Sequence, residues 1–374
     1  MKWLRYVIEV VVWERPHVVL NVDETSLSTV KHEGRGLISG RRLARRDRRL
    51  RPRDGVDRFN TRTTYLAVVG DCPALQPLLP QVILPKYTQH ETPPPAHLAT
   101  YAGFGFPFEF WHRSKGCATP RVMRDWATRV RSVVRSFNDG TWIVLLLDCS
   151  TSHLCATTIA HLRRLGYVLV MIPARLTWLL QILDAYVFGL VKKDMRLGEA
   201  RLRVRSADGR LQPLDRMRVA TSSIRRHVIN KDWSGFFNKM GAGSDNTPTA
   251  TSLLEYCHGE PIPPALPTLA EFAEVIGRPA HTAVTRRLHN MIIGATLELQ
   301  RAPPHALPPV AAQVALPAAM EASAGVSRAQ MATTAPHVTL NRFLMDCDRT
   351  TPRRLDGHGL ARNHVLDHPA PAAA

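Results

Sequence analysis

Two mainly apolar segments of the sequence end in carboxylates. Trp142–Leu147 leads directly into Asp148, and Val18–Val22 leads into Asp23. Apolar runs that contain β-branched residues predict strands buried on both faces. A carboxylate at the carboxyl end of such a strand lies where open α/β sheets place their chemistry. The sequence therefore predicts a metal site built from carboxylates, and phosphoryl transfer is the reaction that such a site favours.

A third carboxylate, Asp184, stands at the start of a predicted helix, beyond the next predicted strand. Two divalent ions about 3.5–4 Å apart can activate a nucleophilic oxygen and stabilise a departing one, and Mg²⁺ takes hard oxygen ligands. Clustered carboxylates repel one another until cations arrive, so we expect metal and substrate to bind together. One acid on the first strand, one after a later parallel strand and one on a following helix is the ribonuclease-H-like arrangement.

Each acid also has a simpler interpretation. Asp23 can be a turn residue at the end of a strand. Asp148 can cap the helix that follows, a role that is open to Ser150 and Thr151 as well. Asp184 can be a first-turn acid that the helix dipole favours. The joint occurrence of the three acids in this order favours the catalytic interpretation.

The chain is strongly basic. Its 374 residues include 49 Lys and Arg against 31 Asp and Glu, which gives a formal net charge of +18. This excess favours a polyanionic partner, either nucleic acid or an anionic membrane surface, although a solvated Arg-rich surface is the alternative. A basic insertion over 35–58 contains the arginines that are expected to contact DNA, namely Arg41, Arg42, Arg45, Arg46, Arg48 and Arg49. Such contacts hold the phosphate backbone and do not read the base sequence.

Cysteine usage and hydropathy argue against several classes of protein. The six cysteines form no CxxC pair, so a disulfide framework is not expected. The cluster Cys149, His153, Cys155 and His161 matches none of the usual zinc spacings. The amino-terminal apolar stretch is too short to cross a bilayer, so we expect a soluble intracellular protein without a membrane partner.

Hydrophobic periodicity predicts the elements that position the acids. Strands are expected at 17–23, 63–69, 81–84, 142–147 and 167–172. Helices are expected at 120–137, around 154–165, from Ala185 onward and over 215–240. Residues 85–113 are expected to be loop-like. The strand, helix and strand over 142–172 form a βαβ unit, which indicates an α/β fold with a mixed central sheet flanked by helices.

The predicted chain has three parts. Residues 1–16 are a short N-terminal segment, and residues 17–243 are the folded domain that carries the basic insertion. Residues 244–374 are rich in Pro and Ala and show little periodicity toward the end of the chain. We expect them to be a low-complexity, mostly disordered tail.

Five motifs in a fixed order carry a resemblance to a known family. They are Asn21–Thr25; Ser114–Gly116 with Trp126; Leu145–Asp148 with His153; Thr177–Asp184 with Val187–Gly189 and Lys192; and Asp232–Trp233 with Phe236–Phe237 and Gly241. With these motifs the chain resembles the DDE superfamily endonuclease domain. More narrowly, it resembles the transposases of the pogo and jerky type within the mariner class. The resemblance extends from about Val18 to Gly243.

The resemblance implies a ribonuclease-H-like fold and an origin in a transposable element. It implies that Asp23, Asp148 and Asp184 hold two Mg²⁺ or Mn²⁺ ions, that the protein cleaves and joins DNA strands, and that it works in the nucleus. Lys192 is expected to contact DNA. His153 either contacts a substrate phosphate or satisfies a buried backbone group. Glu24 points away from Asp23 on a strand, so it is expected to be structural.

The sequence departs from this family in three places. The family usually has Asn at the position of Cys149 and Pro at the position of Ile182. Relatives carry helix-turn-helix modules before the first acid, whereas 22 residues precede Asp23 here, so we expect a truncated chain. A catalytically inactive relic that binds DNA is therefore the alternative function. A basic scaffold for other proteins has no motif in its favour, and a homodimer is left open.

Overall fold

The computed structural model describes residues 1–27, 63–85, 95–111, 118–205, 211–242, 255 and 258–303. In these residues six strands form one sheet, in the spatial order β4-β3-β2-β1-β5-β6. The strands are β1 (His17–Ser26), β2 (Thr64–Gly70), β3 (Gln81–Leu84), β4 (Phe108–Phe110), β5 (Trp142–Leu147) and β6 (Tyr167–Met171). Five of them correspond to the strands that the sequence predicts, with ends that agree within three residues.

The sheet is mixed, as predicted. The central strands β1, β5 and β6 run parallel to one another, and β2 runs antiparallel to both β1 and β3. The edge strand β4 pairs in parallel with β3. All residues of β5 are buried, which explains the unbroken apolar sequence of this central strand.

The pairing of β1 with β5 aligns the two acids at the strand ends. Leu20 lies opposite Leu145, and Asn21 lies opposite Leu146. Two residues beyond this last pair, the chain reaches Asp23 on one strand and Asp148 after the other. Because the strands are parallel, both acids lie at the same edge of the sheet.

Helices flank the sheet. They are α1 (Lys2–Tyr6), α2 (Pro95–Gly103), α3 (Pro120–Phe137), α4 (Ala156–Arg164), α5 (Thr177–Leu180), α6 (Phe188–Arg205), α7 (Pro213–Ile224), α8 (Ser234–Lys239), α9 (Leu269–Ile276) and α10 (Ala283–Arg301). Wider π-helical turns occupy Val7–Val11, Leu183–Val187 and Arg225–Ile229.

Helix α3 has the bounds that the sequence predicts. The Thr119 hydroxyl oxygen accepts a hydrogen bond from the Val122 amide at 3.3 Å, which caps the first turn. The buried face of the helix includes Trp126. The Tyr167 hydroxyl at the start of β6 donates to the Ala127 carbonyl at 2.7 Å and fixes the helix to the sheet.

Residues 85–113 contain more structure than the predicted loop. Helix α2 and strand β4 lie in this segment, and β4 extends the sheet at one edge. Tyr101 of α2 stacks on Phe110 of β4 with ring centroids 4.3 Å apart. The aromatic residues thus pack the segment onto the sheet, a tertiary contact that local periodicity does not reveal.

Residues 258–303 also differ from the predicted disordered tail. Helix α9 begins with a capping box, in which the Thr268 hydroxyl and the Glu271 carboxylate each bond the backbone amide of the other residue. It ends at Gly277, whose φ of 66° is the left-handed conformation that glycine adopts freely. Phe272 of α9 contacts Trp3 of the N-terminal segment, with ring centroids 6.4 Å apart.

Contacts within the chain divide it into two units, Met1–Pro317 and Ala318–Ala374, and every described residue lies in the first unit. The basic insertion 35–58 and the motif Ser114–Gly116 lie outside the described residues. In the described part of the chain, no helix has both the length and the apolar character needed to cross a bilayer.

Candidate active site

The three acids lie at one edge of the sheet and differ in how far they are buried. Asp23 on β1 is buried, Asp148 after β5 is half-buried, and Asp184 is exposed. Burial, together with the negative charges of Asp184, Glu24 and Asp148, raises the pKa of Asp23 to about 8. The acids are therefore close enough to repel one another. At neutral pH the innermost carboxyl retains its proton in the absence of a cation.

Asn21 connects the three acid-bearing segments. Its amide nitrogen donates to the carbonyl of Leu146 at 3.2 Å, on the strand that leads to Asp148. Its amide oxygen accepts from the backbone amide of Leu183 at 3.1 Å, one residue before Asp184. Because Asn21 itself lies two residues before Asp23, one fully buried side chain ties all three segments together. Sequence reasoning named Asn21 only as part of a family motif and assigned it no role, although a polar side chain within a buried apolar strand was the available signal.

His153 bonds directly to the second acid. Its Nδ1 lies 2.5 Å from Asp148 Oδ1, which also accepts a hydrogen bond from the Ser150 amide at 3.2 Å. Burial alone raises the pKa of Asp148, but the hydrogen bond and charge of His153 and the Ser150 bonds lower it below its ordinary value. This carboxylate is therefore ionised and has one oxygen engaged by the protein.

The other ring nitrogen of His153 faces the acid next to Asp23. Nε2 lies 3.6 Å from Glu24 Oε1, a distance that fits an ion pair rather than a hydrogen bond. Burial lowers the pKa of His153, but bonds and charges from Asp148 and Glu24 outweigh it and raise the value to about 10. The imidazolium is fully buried between two carboxylates. This position differs from both predicted roles, because the ring reaches neither solvent nor a backbone group.

Glu24 holds the segment that follows β5. In addition to its ion pair with His153, its carboxylate accepts a hydrogen bond from the Ser152 hydroxyl at 3.4 Å. Its backbone amide donates to Asp23 Oδ1 at 2.7 Å. These contacts fit the structural role that we expect for Glu24, and the backbone bond orients the carboxyl of Asp23.

Asp184 lies in the π-helical turn that precedes α6. Such wide turns are rare and occur often at functional sites. Burial and the charge of Asp148 raise the pKa of Asp184, whereas a hydrogen bond from Thr177 and the charge of Lys192 oppose the rise. Lys192, predicted to contact DNA, thus lies near the third acid, with its Nζ 5.7 Å from the centre of the Phe188 ring.

The acids that follow β5 and β6 fall within a recognised family match. The family described as DDE superfamily endonuclease matches residues 77–230. Asp148, His153 and Asp184 lie inside this match, whereas Asp23 lies before it. Neither a curated protein nor a solved structure matches the chain.

Cys149, where the DDE superfamily pattern usually has Asn, joins the site to a distant helix. Its thiol donates to the carbonyls of Ile172 at 3.2 Å and Val275 at 3.3 Å. Burial and the charge of Asp148 raise the pKa of this thiol to about 12, so it stays a neutral donor. The Val275 carbonyl also accepts from the Ala174 amide at 3.0 Å, which connects α9 to the edge that carries the acids.

The chemistry of the three acids fits a hard divalent cation, because carboxylate oxygens are the ligands that Mg²⁺ and Mn²⁺ prefer. Burial and the repulsion of the neighbouring acids raise the pKa of Asp23, and a bound cation would favour its ionised form. Within the ranges that the structure describes, no three Asp, Glu, His or Cys side chains are placed to hold one ion together. The acids face a common region without forming a closed set of ligands.

The remaining predicted DNA contacts are not placed by the structure. Arg41, Arg42, Arg45, Arg46, Arg48 and Arg49 all lie outside the described residues.

Proposed function

We propose that the protein is a transposase-derived DDE endonuclease of the pogo and jerky type, with a ribonuclease-H-like fold, that cleaves and joins DNA strands. The observation that carries the proposal is the placement of Asp23, Asp148 and Asp184 at one edge of the sheet, which follows from the pairing of β1 with β5 and from the two bonds of the Asn21 amide. The strand order supports the fold, because an antiparallel β3-β2-β1 unit continues into the parallel strands β5 and β6. The family match over 77–230 supports the same assignment.

The chain's own residues prepare the carboxylates for metal ions. His153 and Ser150 occupy Asp148 Oδ1 and leave the other oxygen of that group for a cation. Asp23 and Asp184 would supply the remaining acidic oxygens, and Asp23 must first release its proton. Two Mg²⁺ or Mn²⁺ ions, when bound, would stabilise the charge on the attacking and departing oxygens of a phosphodiester.

DNA is the partner that the charge balance favours. A net charge of +18 draws a polyanion to the protein, and Lys192 lies beside the third acid, where a phosphate would approach. The resemblance and a DNA substrate together support a nuclear location.

A DNA-binding relic without catalysis is the second candidate function. It is favoured by the lack, in the described residues, of three ligands placed to hold one ion. The replacement of the usual Asn and Pro by Cys149 and Ile182, beside two of the acids, points the same way. Both candidates share the fold and the basic surface and differ in whether metal ions are bound productively.

Plasmid nicking distinguishes the two functions. The wild type and Asp148→Asn are compared with Mg²⁺, Mn²⁺ or EDTA. Asp139→Asn is the matched control, because this exposed acid precedes β5 at the opposite end of the strand. Nicking that requires metal and Asp148 but not Asp139 supports the endonuclease. If the wild type and both variants bind DNA but none of them nicks the plasmid, the result supports the relic.

A further inference from the structure

Trp178 presents a large aromatic surface to solvent beside the acids. Its residue is 67% exposed, although most tryptophans in the described part of the chain are buried. It lies on α5, the short helix between β6 and Asp184. A ligand can cover an exposed indole without breaking any contact within the folded protein. Such a side chain is therefore well suited to stacking on a planar ligand.

Contacts within the chain fix this indole relative to the acids. Thr177, the preceding residue, hydrogen-bonds the carboxylate of Asp184. The end of the same segment is held by the bond from Leu183 to the buried Asn21. Trp178 therefore lies on a segment that is anchored at both ends to the acid-bearing edge of the sheet.

An exposed cation lies three residues earlier. Arg175 has a φ of 69°, a left-handed conformation that is costly for a residue with a side chain and that concentrates at functional sites. Its guanidinium makes no ion pair or side-chain hydrogen bond with any described residue. The nearby Gln181 amide is fully buried and likewise has no hydrogen-bond partner there. The segment thus offers a ligand the exposed guanidinium of Arg175, whereas the Gln181 amide does not reach the surface.

We propose that Arg175 and Trp178 bind an unpaired nucleotide of the DNA strand that enters the acid site. The indole stacks on the base, and the guanidinium bonds the adjoining phosphate. A base inside a duplex has both faces covered by its neighbours, so the site takes a single-stranded or frayed end. This inference rests on the proposed function and names its substrate class.

The test measures binding without catalysis. Fluorescence anisotropy in EDTA at low salt compares a labelled single-stranded oligonucleotide with a blunt duplex of the same sequence. Trp178→Ala is expected to weaken single-strand binding about tenfold, because the stacking of a base on an aromatic side chain typically accounts for a change in affinity of at least about this size. Trp178→Phe is expected to retain most of the affinity, and duplex binding is expected to change less than about twofold, since an exposed side chain that does not stack contributes little. Arg175→Ala is expected to weaken single-strand binding and to reduce its salt dependence.

Trp13→Ala is the matched control. This indole is 62% exposed and precedes β1, at the end of the strand away from Asp23, so its removal should leave binding unchanged. Equal single-strand affinity of Trp178→Ala and wild type would overturn the inference and leave the nuclease proposal standing. Loss of self-association in Trp178→Ala, with DNA binding intact, would overturn it in favour of a second copy covering the indole. Trp178-dependent binding by a protein that never nicks would support the inference and reject the proposed catalysis.

Discussion

The amide oxygen of Asn21 accepts a hydrogen bond from the backbone amide of Leu183 at 3.1 Å. The two residues are distant in sequence, and each stands just before an acid of the candidate site. Since the other end of the Asn21 amide bonds the Leu146 carbonyl, one side chain bonds to both of the other acid-bearing segments. Such a buried amide is a positioning group and need not touch substrate.

Asn21→Leu keeps the approximate volume and removes both bonds. We expect the free energy of unfolding to fall by about 2–4 kcal/mol, because a buried N–H and a buried carbonyl lose their partners. Nicking should fall further than the loss of folded protein explains. Urea unfolding and plasmid nicking measure the two effects. Asn138→Leu, at an exposed Asn that bonds the Gly140 amide, is the control and should change neither. Full activity of Asn21→Leu would show that the acids find their positions without this amide.

His153→Gln removes the charge between Asp148 and Glu24. We expect a loss of about 3 kcal/mol at pH 6, since a buried ion pair then lacks one partner. The folded-state pKa of His153, about 10, lies above the ordinary 6.5. The contribution of the charged His153 to the free energy of unfolding is thus full below pH 6.5 and is lost as pH rises toward 10. Urea unfolding across this range should show the variant approaching wild type.

His161→Gln is the comparison for that experiment. His161 lies on α4, is partly exposed and bonds the Thr128 hydroxyl at 2.9 Å. Its replacement should cost less than about 1 kcal/mol. A stability difference for His153→Gln that stays constant from pH 6 to pH 10 would contradict an imidazolium between the carboxylates.

Asp23→Asn should stabilise the metal-free protein while abolishing nicking. The folded-state pKa of Asp23 is about 8 against an ordinary value of 3.8, so the folded state holds a proton that the unfolded state releases. Wild-type stability should therefore fall as pH rises from about 4 to about 8. At pH 8 the variant should be more stable by as much as about 5 kcal/mol, because each pKa unit of the rise corresponds to about 1.4 kcal/mol. Urea unfolding at several pH values measures both quantities.

A second, partly buried acid separates this effect from catalysis. Asp71 accepts a hydrogen bond from the Val19 amide, and burial raises its pKa to about 7. Asp71→Asn should likewise reduce the fall in stability between pH 4 and pH 7, yet it should leave nicking intact. If Asp23→Asn destabilised the protein at pH 8, the raised pKa of Asp23 would be refuted.

Divalent metal should stabilise the wild type through the same acids. Mg²⁺ or Mn²⁺ at millimolar concentration is expected to raise the melting temperature by about 2–4 °C, since binding to the folded state shifts the unfolding equilibrium. The shift should grow as pH rises toward 8, because Asp23 must lose a proton. Differential scanning fluorimetry with EDTA reversal measures it. Asp148→Asn should lose the shift, and Asp139→Asn should keep it. No shift in the wild type at any pH would favour the relic.

Much of the sheet follows from the sequence because its central strands are buried on both faces. The unbroken apolar run of β5 predicts a strand without knowledge of the elements that pack on it. The start of α3 is likewise predicted from its own sequence, which contains the Thr119 cap. The strand ends also place Asp23 and Asp148 at one edge. These features depend on neighbours in sequence, which periodicity and capping describe well.

Other features depend on contacts between distant residues. The bond from Leu183 to Asn21 joins residues 162 positions apart, and the thiol of Cys149 bonds Val275 at a separation of 126. No local pattern predicts such pairs. Helix α9 is different, because its capping box at Thr268 and its glycine stop at Gly277 were readable locally. A composition rich in Pro and Ala masked those signals.

The Val275 carbonyl connects helix α9 to the segments that carry the candidate active site. It accepts from Cys149, immediately beside Asp148, and from Ala174, immediately before the Arg175 backbone. A protein cut after residue 243 would retain every acid and every residue of the family match, yet it would lose this carbonyl. Insertions or deletions that shift α9 should therefore select for compensating changes at position 149, so that evolution of the two segments is coupled.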